Sequence, residues 1–452
     1  MLHRSGGEAP LLALTGSLRE FRNPRGRDLL GRVDEFYSWQ DLRRQHGLWS
    51  YSKSTDEAPT NVCSAKDDAG NGFRGVNFAS QDYLSLASHP AIKEAGTRAI
   101  AEYGVHSAGS TAFLGNTRYS LELQAQMANF LQMEEVVLYP TGWAAGYGVI
   151  RGLVRSEDHV VMDGLAHNCL QDGAIASTQN IYLHSHLNLD AVRRHLKRIR
   201  TRDAENGILV VTEGLFSMDS DTPDIAAMQD LCHEYKATLL VDVAHDFGNI
   251  GEDGTGHIGL QRMLGKVDLV IGSFSKTFAS NGGYVGCNSR AVREYLRYFG
   301  SSGTFSNALS PIQSATVLKA VEIIRSDEGK ALRASMMHNV LYLRDLLQAA
   351  GFEVIGDPSA IVSAKVGDEA LARLLSAHLP SLGVVANLVE FPAVAKGSAR
   401  FRFQVMAGHS RNDIETLVNR LQSAIAETMP AYESYRDRLA AIKTTSPERR
   451  VA

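Results

Sequence analysis

Cysteine is scarce in this 452-residue chain and widely spaced: Cys63, Cys169, Cys232 and Cys287 form no CxxC pair. That spacing argues against a disulfide framework or a zinc site and suits a reducing cytoplasm. No apolar run reaches the ~18–20 residues needed to span a bilayer, and LLAL (11–14) is too short an apolar stretch for a signal peptide. A dominant charge sign is missing too. Lys and Arg number 46 against 50 Asp and Glu, a formal charge of −4, which offers no basic face to nucleic acid. The chain also lacks internal repeats and low-complexity tracts. What remains is ordinary globular composition, 44% hydrophobic and 21% charged, in a chain long enough for a large domain and a smaller one.

Residues 1–30 are rich in Gly, Arg and Pro without periodicity and read as a mobile arm. Over 31–50, Val33, Phe36, Trp39 and Leu42 recur at helical spacing. The polar stretch 52–72 reads as loop and hairpin before a strand GVNFAS (75–80). From there to about residue 310, short β-rich runs alternate with helical stretches such as 224–236. The strands are EVVLYP (135–140), HVVMD (159–163), ILVVTEG (208–214), ATLLVDV (237–243) and DLVIGSF (268–274). Near-continuous apolar strands separated by helices predict a mostly parallel sheet covered on both faces. In such sheets ligands gather at the carboxyl ends of the strands. A helix over 312–329 then leads to strands at 352–356, 360–367 and 399–406, with helices near 368–379 and from 412 to 421. The expected division is an N-terminal arm and helix (1–75), a large domain (76–310), a small α+β domain with its linking helix (311–430) and a charged tail, partly helical and then disordered (431–452).

Lys276 lies in GSFSKTFASNGGYVG (272–286), and the strand TLLVDVAHDFG (238–248) precedes it with an acid and a histidine three residues apart. A pyridoxal phosphate enzyme needs this set: an amine to form an imine with the cofactor aldehyde, and an acid to keep the pyridine nitrogen protonated so the ring draws electrons. Asp242 ends an apolar strand, where a bare carboxylate is costly to bury. Alone, it reads equally as a helix cap or structural ion pair. His245 suits the cofactor's phenolic oxygen, or a purely structural place. The hydroxyl of Ser273 suits a phosphate, and a desolvated Lys276 would form an imine more readily. An isolated SxxK fits a surface lysine as well. In PTGWAAG (140–146), a strand-to-helix turn, Thr141, Gly142 and Trp143 offer N–H groups and a hydroxyl to a phosphate, or simply start a helix. His167 follows another strand end and is placed to stack on a ring, and Ser217 in VTEGLFSMDSD lies beyond a third. Three strand ends converging on one crevice favour a site.

Taken together, NFASQDYLSLASHP (77–90), GSTAFLGNTRYSLELQ (109–124), YPTGWAAG, VTEGLFSMDSDTPD, VDVAHDFGNIGEDGTG, SFSKTFASNGGYVG and GSARFRFQVMAGH (397–409) resemble the α-oxoamine synthases. That family of fold-type I pyridoxal phosphate transferases includes 8-amino-7-oxononanoate synthase, 2-amino-3-ketobutyrate ligase, 5-aminolevulinate synthase and serine palmitoyltransferase. The resemblance implies an α/β fold, with a mostly parallel seven-stranded sheet between helices and a smaller α+β C-terminal domain. It implies that Lys276 carries the imine and moves protons at the amino acid's α-carbon. Asp242 would hold the pyridine nitrogen and His245 the phenolic oxygen, with Ser217 near the latter. His167 would stack on the ring, while Ser273 and the Thr141–Trp143 turn would hold the phosphate. Arg402 matches the arginine that grips the substrate carboxylate, a task for its bidentate fork, and Gln81 lies near the same carboxylate. Homodimers with active sites at the subunit interface follow, with Ser306 or Asn307 in FSNALSP (305–311) reaching the partner's cofactor phosphate. The implied reaction condenses an amino acid with an acyl thioester, of coenzyme A or an acyl carrier protein, usually with loss of carbon dioxide.

The chain departs from the family pattern at several places. Gln81 replaces the usual asparagine, Ser120 a histidine, Gln124 an acid, Val243 the second acid of the DEAH-like motif, and Ser310 the first of two prolines. These departures weaken assignment to any one of the four familiar activities, and a specialised or secondary-metabolic member fits best. Two alternatives remain open: another chemistry on the same fold, such as transamination or decarboxylation, and a non-catalytic partner subunit. The retention of Lys276, Asp242 and Arg402 speaks against the second.

Overall fold

All five apolar runs expected between 135 and 274 become strands of one sheet in the computed structural model, which describes residues 9–445. The order across the sheet is Glu135–Tyr139, Gly283–Cys287, Leu269–Ser273, Thr238–Asp242, Ile208–Glu213, His159–Asp163 and Ile181–His184. Gly283–Cys287 runs antiparallel to both neighbours, and the remaining pairs are parallel. Every residue of His159–Asp163, Ile208–Glu213 and Leu269–Ser273 is buried, as helices on both faces of a parallel sheet require. Val149, Ile150, Met162, Leu170, Val211, Leu240, Ile271 and Val285 share one core, and each such side chain contributes about 1.5–3 kcal/mol relative to exposure. Glu213 stands level with Asp242, and Asp242 with Ile271, so neighbouring strand ends deliver their acids side by side.

Two strands of this sheet escape the periodicity. Ile181–His184 is a four-residue edge strand, only partly buried. Gly283–Cys287 (GYVGC) carries two glycines, which ordinarily weaken a strand. Here a close approach requires one of them: a Cβ on Gly283 would lie 2.6 Å from the Cα of Gly142.

Residues 81–337 form one compact unit, and the residues up to 80 together with those from 338 form a second. The boundaries therefore differ from the expected ones. The helix Pro311–Ile324 packs on Pro90–Tyr103 and Arg118–Leu131 inside the larger unit, because its apolar residues Ala315, Val317, Ala320 and Val321 are buried. A further helix, Asp327–Ala349, follows it.

The smaller unit draws on both ends of the chain. One of its sheets has the order Ser54–Thr55, Val62–Lys66, Gly72–Asn77, Val384–Val385; the other has Val354–Ile355, Ile361–Gly367, Ala399–Gln404, Asn387–Val389. The mobile-arm expectation is corrected from residue 9 onward. Leu11–Thr15 is helical, and Ala13 and Leu14 are buried in a cluster with Leu48, Ala370 and Tyr435. Arg373 secures this segment by donating to the carbonyls of Leu14 (2.5 Å), Thr15 (3.2 Å) and Gly16 (2.7 Å), while its Nε donates to Glu390 at 2.6 Å. The tail's expected helical part is found: Arg411–Thr445 is one helix continuing through Pro430, and Tyr432, Tyr435 and Leu439 join the same cluster. The expected mobility of 1–8 and disorder of 446–452 concern positions outside the described residues. Among the described residues, no helix is long and apolar enough to cross a membrane, and no group of side chains is arranged to hold a metal.

Candidate active site

The carboxyl ends of the seven-stranded sheet surround a cavity of about 250 Å3 in the larger unit. Lys276, Asp242, His245, His167, Ser273, Thr141, Gly142 and Trp143 all line it, so eight residues singled out in the sequence come together. Asp242 and Ser273 end buried strands, and the others lie on the turns or helix starts that follow such strands. Such turns cannot continue the ladder and carry their residues beyond the sheet edge.

Asp242 is 8% exposed, and its Oδ1 accepts the Ala244 N–H at 2.9 Å. Burial raises its pKa above the usual carboxylate range, against the lowering pull of His167 and then of Lys276. Beside it stands Glu213, which in the sequence reads only as part of a strand. Burial, and then the neighbouring Asp242, push Glu213 well above its usual range. Two buried carboxyls level with each other oppose each other's ionisation. Glu213 Oε1 accepts the backbone N–H of His167 at 2.7 Å.

His245 is fixed by Tyr83, whose hydroxyl lies 2.9 Å from Nδ1. Asn249 ties the Asp242 turn to the Lys276 turn: its Nδ2 donates to the His245 carbonyl at 3.0 Å and to Thr277 Oγ1 at 2.8 Å. Neither Tyr83 nor Asn249 is legible as a site residue in the sequence, although both lie inside motifs that are. Cys169 also lines the cavity, with its Sγ 3.0 Å from His167 Nδ1; spacing alone makes it an inert thiol.

The remaining lining suits a phosphate. Thr141 caps the helix Gly142–Leu153, its Oγ1 accepting the Ala144 N–H at 3.0 Å, so the hydroxyl proton stays available to a ligand. The first-turn N–H groups of Gly142 and Trp143 have no acceptor within the helix ladder. Ser273 and Ser275 bring hydroxyls 2.7 Å apart. A Cβ on Gly142 would sit 2.5 Å from Ser273 Cβ and 2.6 Å from its Oγ, so only glycine lets the helix start approach these hydroxyls. A cradle of helix-start N–H groups and hydroxyls fits an anion, and a buried acid level with a strand end fits a pyridine nitrogen. The residues present therefore fit pyridoxal phosphate.

Four expected site residues are not among the cavity-lining ones. Ser217 is partly buried in the turn after Ile208–Glu213, Ser306 partly buried in the loop after Ser301–Thr304, and Gln81 partly buried at the start of the larger unit. Arg402 lies in the smaller unit on Ala399–Gln404, 8% exposed. With the Gln404 amide oxygen turned toward it, Arg402 donates from Nε at 2.8 Å and Nη2 at 3.2 Å. Arg400 on the same strand face is spent locally, its Nε donating to the Ser398 carbonyl at 3.1 Å.

Comparison with known proteins agrees with this geometry. The family model for aminotransferase class I and II matches residues 74–421. The chain is 35% identical to an 8-amino-7-oxononanoate synthase of Trichlorobacter lovleyi over 347 residues, 77% of this chain and 88% of that one. It is 31% identical to 4-hydroxy-2,2'-bipyrrole-5-methanol synthase PigH of a Serratia species over 88% of this chain, spanning 60% of that longer protein. Among solved structures it is similar to Sphingomonas wittichii serine palmitoyltransferase, with a TM-score of 0.83 and 26% identity over 89% of this chain and 99% of the other. With Lys276, Asp242 and the phosphate cradle in one cavity, the chain belongs to the class I and II aminotransferase family, in its α-oxoamine synthase branch of fold-type I pyridoxal phosphate enzymes.

Proposed function

We propose that the protein joins an amino acid to an acyl thioester and releases the thiol and carbon dioxide, leaving an α-amino ketone. The observation that carries this reading is the convergence of Lys276, Asp242, His245 and His167 on one cavity beside a phosphate cradle. When bound, pyridoxal phosphate supplies the electron sink for the bond being broken. The chain's own residues do the rest. Lys276 Nζ would hold the cofactor at its aldehyde carbon and would serve as the base for the α-proton. The Asp242 carboxylate holds the proton on the ring nitrogen, and His245, backed by Tyr83, faces the phenolic oxygen with Ser217 nearby. The Thr141–Trp143 turn and Ser273 hold the phosphate, while His167 covers the ring. Arg402 grips the amino acid carboxylate through two N–H groups, with Gln81 beside it. The α-carbon then bonds to the thioester carbonyl carbon as the C–S bond breaks. The leaving thiolate takes a proton, the carboxylate departs as carbon dioxide, and the electron pair it leaves on the α-carbon takes a proton back from the Lys276 ammonium. Positioning of the α-carbon bonds and exclusion of water are the protein's share of the rate.

The acyl donor is a thioester of coenzyme A or of a carrier protein. The working form is a homodimer in which Ser306 reaches the partner's cofactor phosphate, and its compartment is the cytoplasm. All four cysteines are free and buried, which fits a reducing compartment. The test is visible absorbance of the cofactor-loaded protein, titrated with each of the twenty amino acids and then with acyl thioesters. A band shift with one or two amino acids, followed by stoichiometric thiol release on adding thioester, is expected. Release of a keto acid without consumption of thioester would overturn the condensation in favour of transamination.

A further inference from the structure

His167 caps the helix Asn168–Ser177, and its Nδ1 accepts the Cys169 N–H at 3.3 Å. The Cys169 Sγ lies 3.0 Å from the same nitrogen. Cys169 is only 2% exposed, and a Cβ on Gly146 of the neighbouring helix would come within 2.5 Å of its sulfur. The missing side chain at 146 thus makes the room in which the thiol sits against the ring. An imidazole nitrogen that accepts from two donors carries no proton.

We propose that Cys169 is a positioning residue that holds His167 in one neutral tautomer, with Nδ1 bare and the ring proton on Nε2. The proposal rests on the reading that His167 faces the cofactor ring. For this role the sulfur must stay a thiol. Burial, and then the charges of Asp242 and Glu213, push Cys169 far above its usual range, so S–H is the donor. The other titratable groups near His167 are Glu213, which accepts its backbone N–H, and Asp242, His245 and Lys276 across the cavity. Asp242 on its own would favour a protonated His167. Such an imidazolium would draw the Asp242 carboxylate into an ion pair and away from the cofactor's ring nitrogen. The thiol on Nδ1 opposes that outcome and reserves Asp242 for the cofactor.

The experiment reads histidine ring nitrogens directly. In cofactor-free protein labelled with 15N-imidazole histidine, the native His167 should show an unprotonated Nδ1 and a protonated Nε2 from pH 6 to 8. Cys169→Ala should raise the protonation midpoint of His167 by about one pH unit, the tenfold proton affinity that one such hydrogen bond carries. Cys169→Ser, which keeps a donor, should restore it. In cofactor-loaded protein, the visible band should titrate with the same displaced midpoint in Cys169→Ala and not in Cys169→Ser. A protonated Nδ1 in the native protein, or one midpoint shared by all three proteins, overturns the proposal. A displaced midpoint in the cofactor-free protein with an unchanged band in the loaded one upholds the hold of Cys169 on His167. It would instead overturn the placement of His167 against the cofactor. Should Cys169→Ala fail to fold, a protonated Nδ1 in the native spectrum, or a His167 midpoint that Cys169→Ser and the bulkier Cys169→Val both leave unaltered, still overturns the proposal.

Discussion

At the scale of single residues, the cavity depends on a few atoms that are absent. Gly142 is required because a Cβ would collide with Ser273, and overpacking of this kind costs about 1–3 kcal/mol. Gly142→Ala should therefore weaken cofactor binding by roughly 5- to 150-fold while circular dichroism of the cofactor-free protein stays unchanged, as a binding titration would show. Arg402 makes a different demand. Lysine retains the charge but loses the planar fork, so Arg402→Lys should raise the KM for the amino acid about 10- to 100-fold, the worth of a charged hydrogen bond, without altering cofactor affinity. Steady-state kinetics beside a cofactor titration would separate the two effects. Lys276, Asp242 and His245 are legible in the sequence because chemistry-bearing residues stand where apolar strands stop. Glu213 is not, since TE reads as the end of a strand whether or not its acid faces a cavity. Tyr83 and Asn249 reach partners 162 and 28 positions away, and no local pattern announces such partners.

At the scale of elements, the turn that carries Ser217 is held by a cation between two acids. His186 Nδ1 lies 3.0 Å from Asp163, at the end of its strand, and Nε2 lies 3.0 Å from Asp221. The ring of His186 also meets Phe216 edge-on, with centroids 4.6 Å apart. Burial alone would lower the pKa of His186, but the two carboxylates outweigh it and lift it to about 10. A group whose folded pKa exceeds its unfolded value of about 6.5 stabilises fully below that value and loses its contribution as pH rises toward 10. Asp163, depressed in the folded state, sets the acid limit, since its contribution disappears as pH falls through the carboxylate range. His186→Ala should thus cost about 1.5–3 kcal/mol near pH 6 and much less above pH 10, measurable by urea unfolding at the two pH values. The element pattern itself is mostly readable. Thr238–Asp242 and Ile208–Glu213 are continuous apolar runs that only a covered parallel sheet accommodates. GYVGC and IYLH are not readable, the first because its glycines answer to a neighbouring backbone, the second because an edge strand needs no strong pattern.

At the scale of the whole molecule, the reading of the first residues as a loose arm fails because Gly16 and Arg19 there serve tertiary partners, Arg19 over the ring of Phe391. Gly16 offers its carbonyl to Arg373, and Arg43 lies fully buried over the rings of Trp39 and Trp49, 3.6 Å from Glu390. Tyr51 completes the group by donating to Glu390 at 3.2 Å. Removing one member of a buried charged pair strands the other, at a cost of about 3–5 kcal/mol. Arg373→Met should therefore lower the melting temperature and expose residues 9–16 to protease before the rest of the chain, which limited proteolysis followed by mass spectrometry would reveal.

The cluster that joins Leu14 and Leu48 to Tyr435 has a consequence for how the chain is made. The larger unit is one uninterrupted stretch, residues 81–337, whereas the smaller one needs segments from both ends. At about 5–20 residues per second, roughly 18–70 s pass on the ribosome between synthesis of Ser80 and of Tyr435. For most of that interval Leu14, Leu48 and Arg43 wait without Ala370, Tyr435 and Glu390. The portion translated first is the last to be finished, and a nascent-chain chaperone would find its binding surface there.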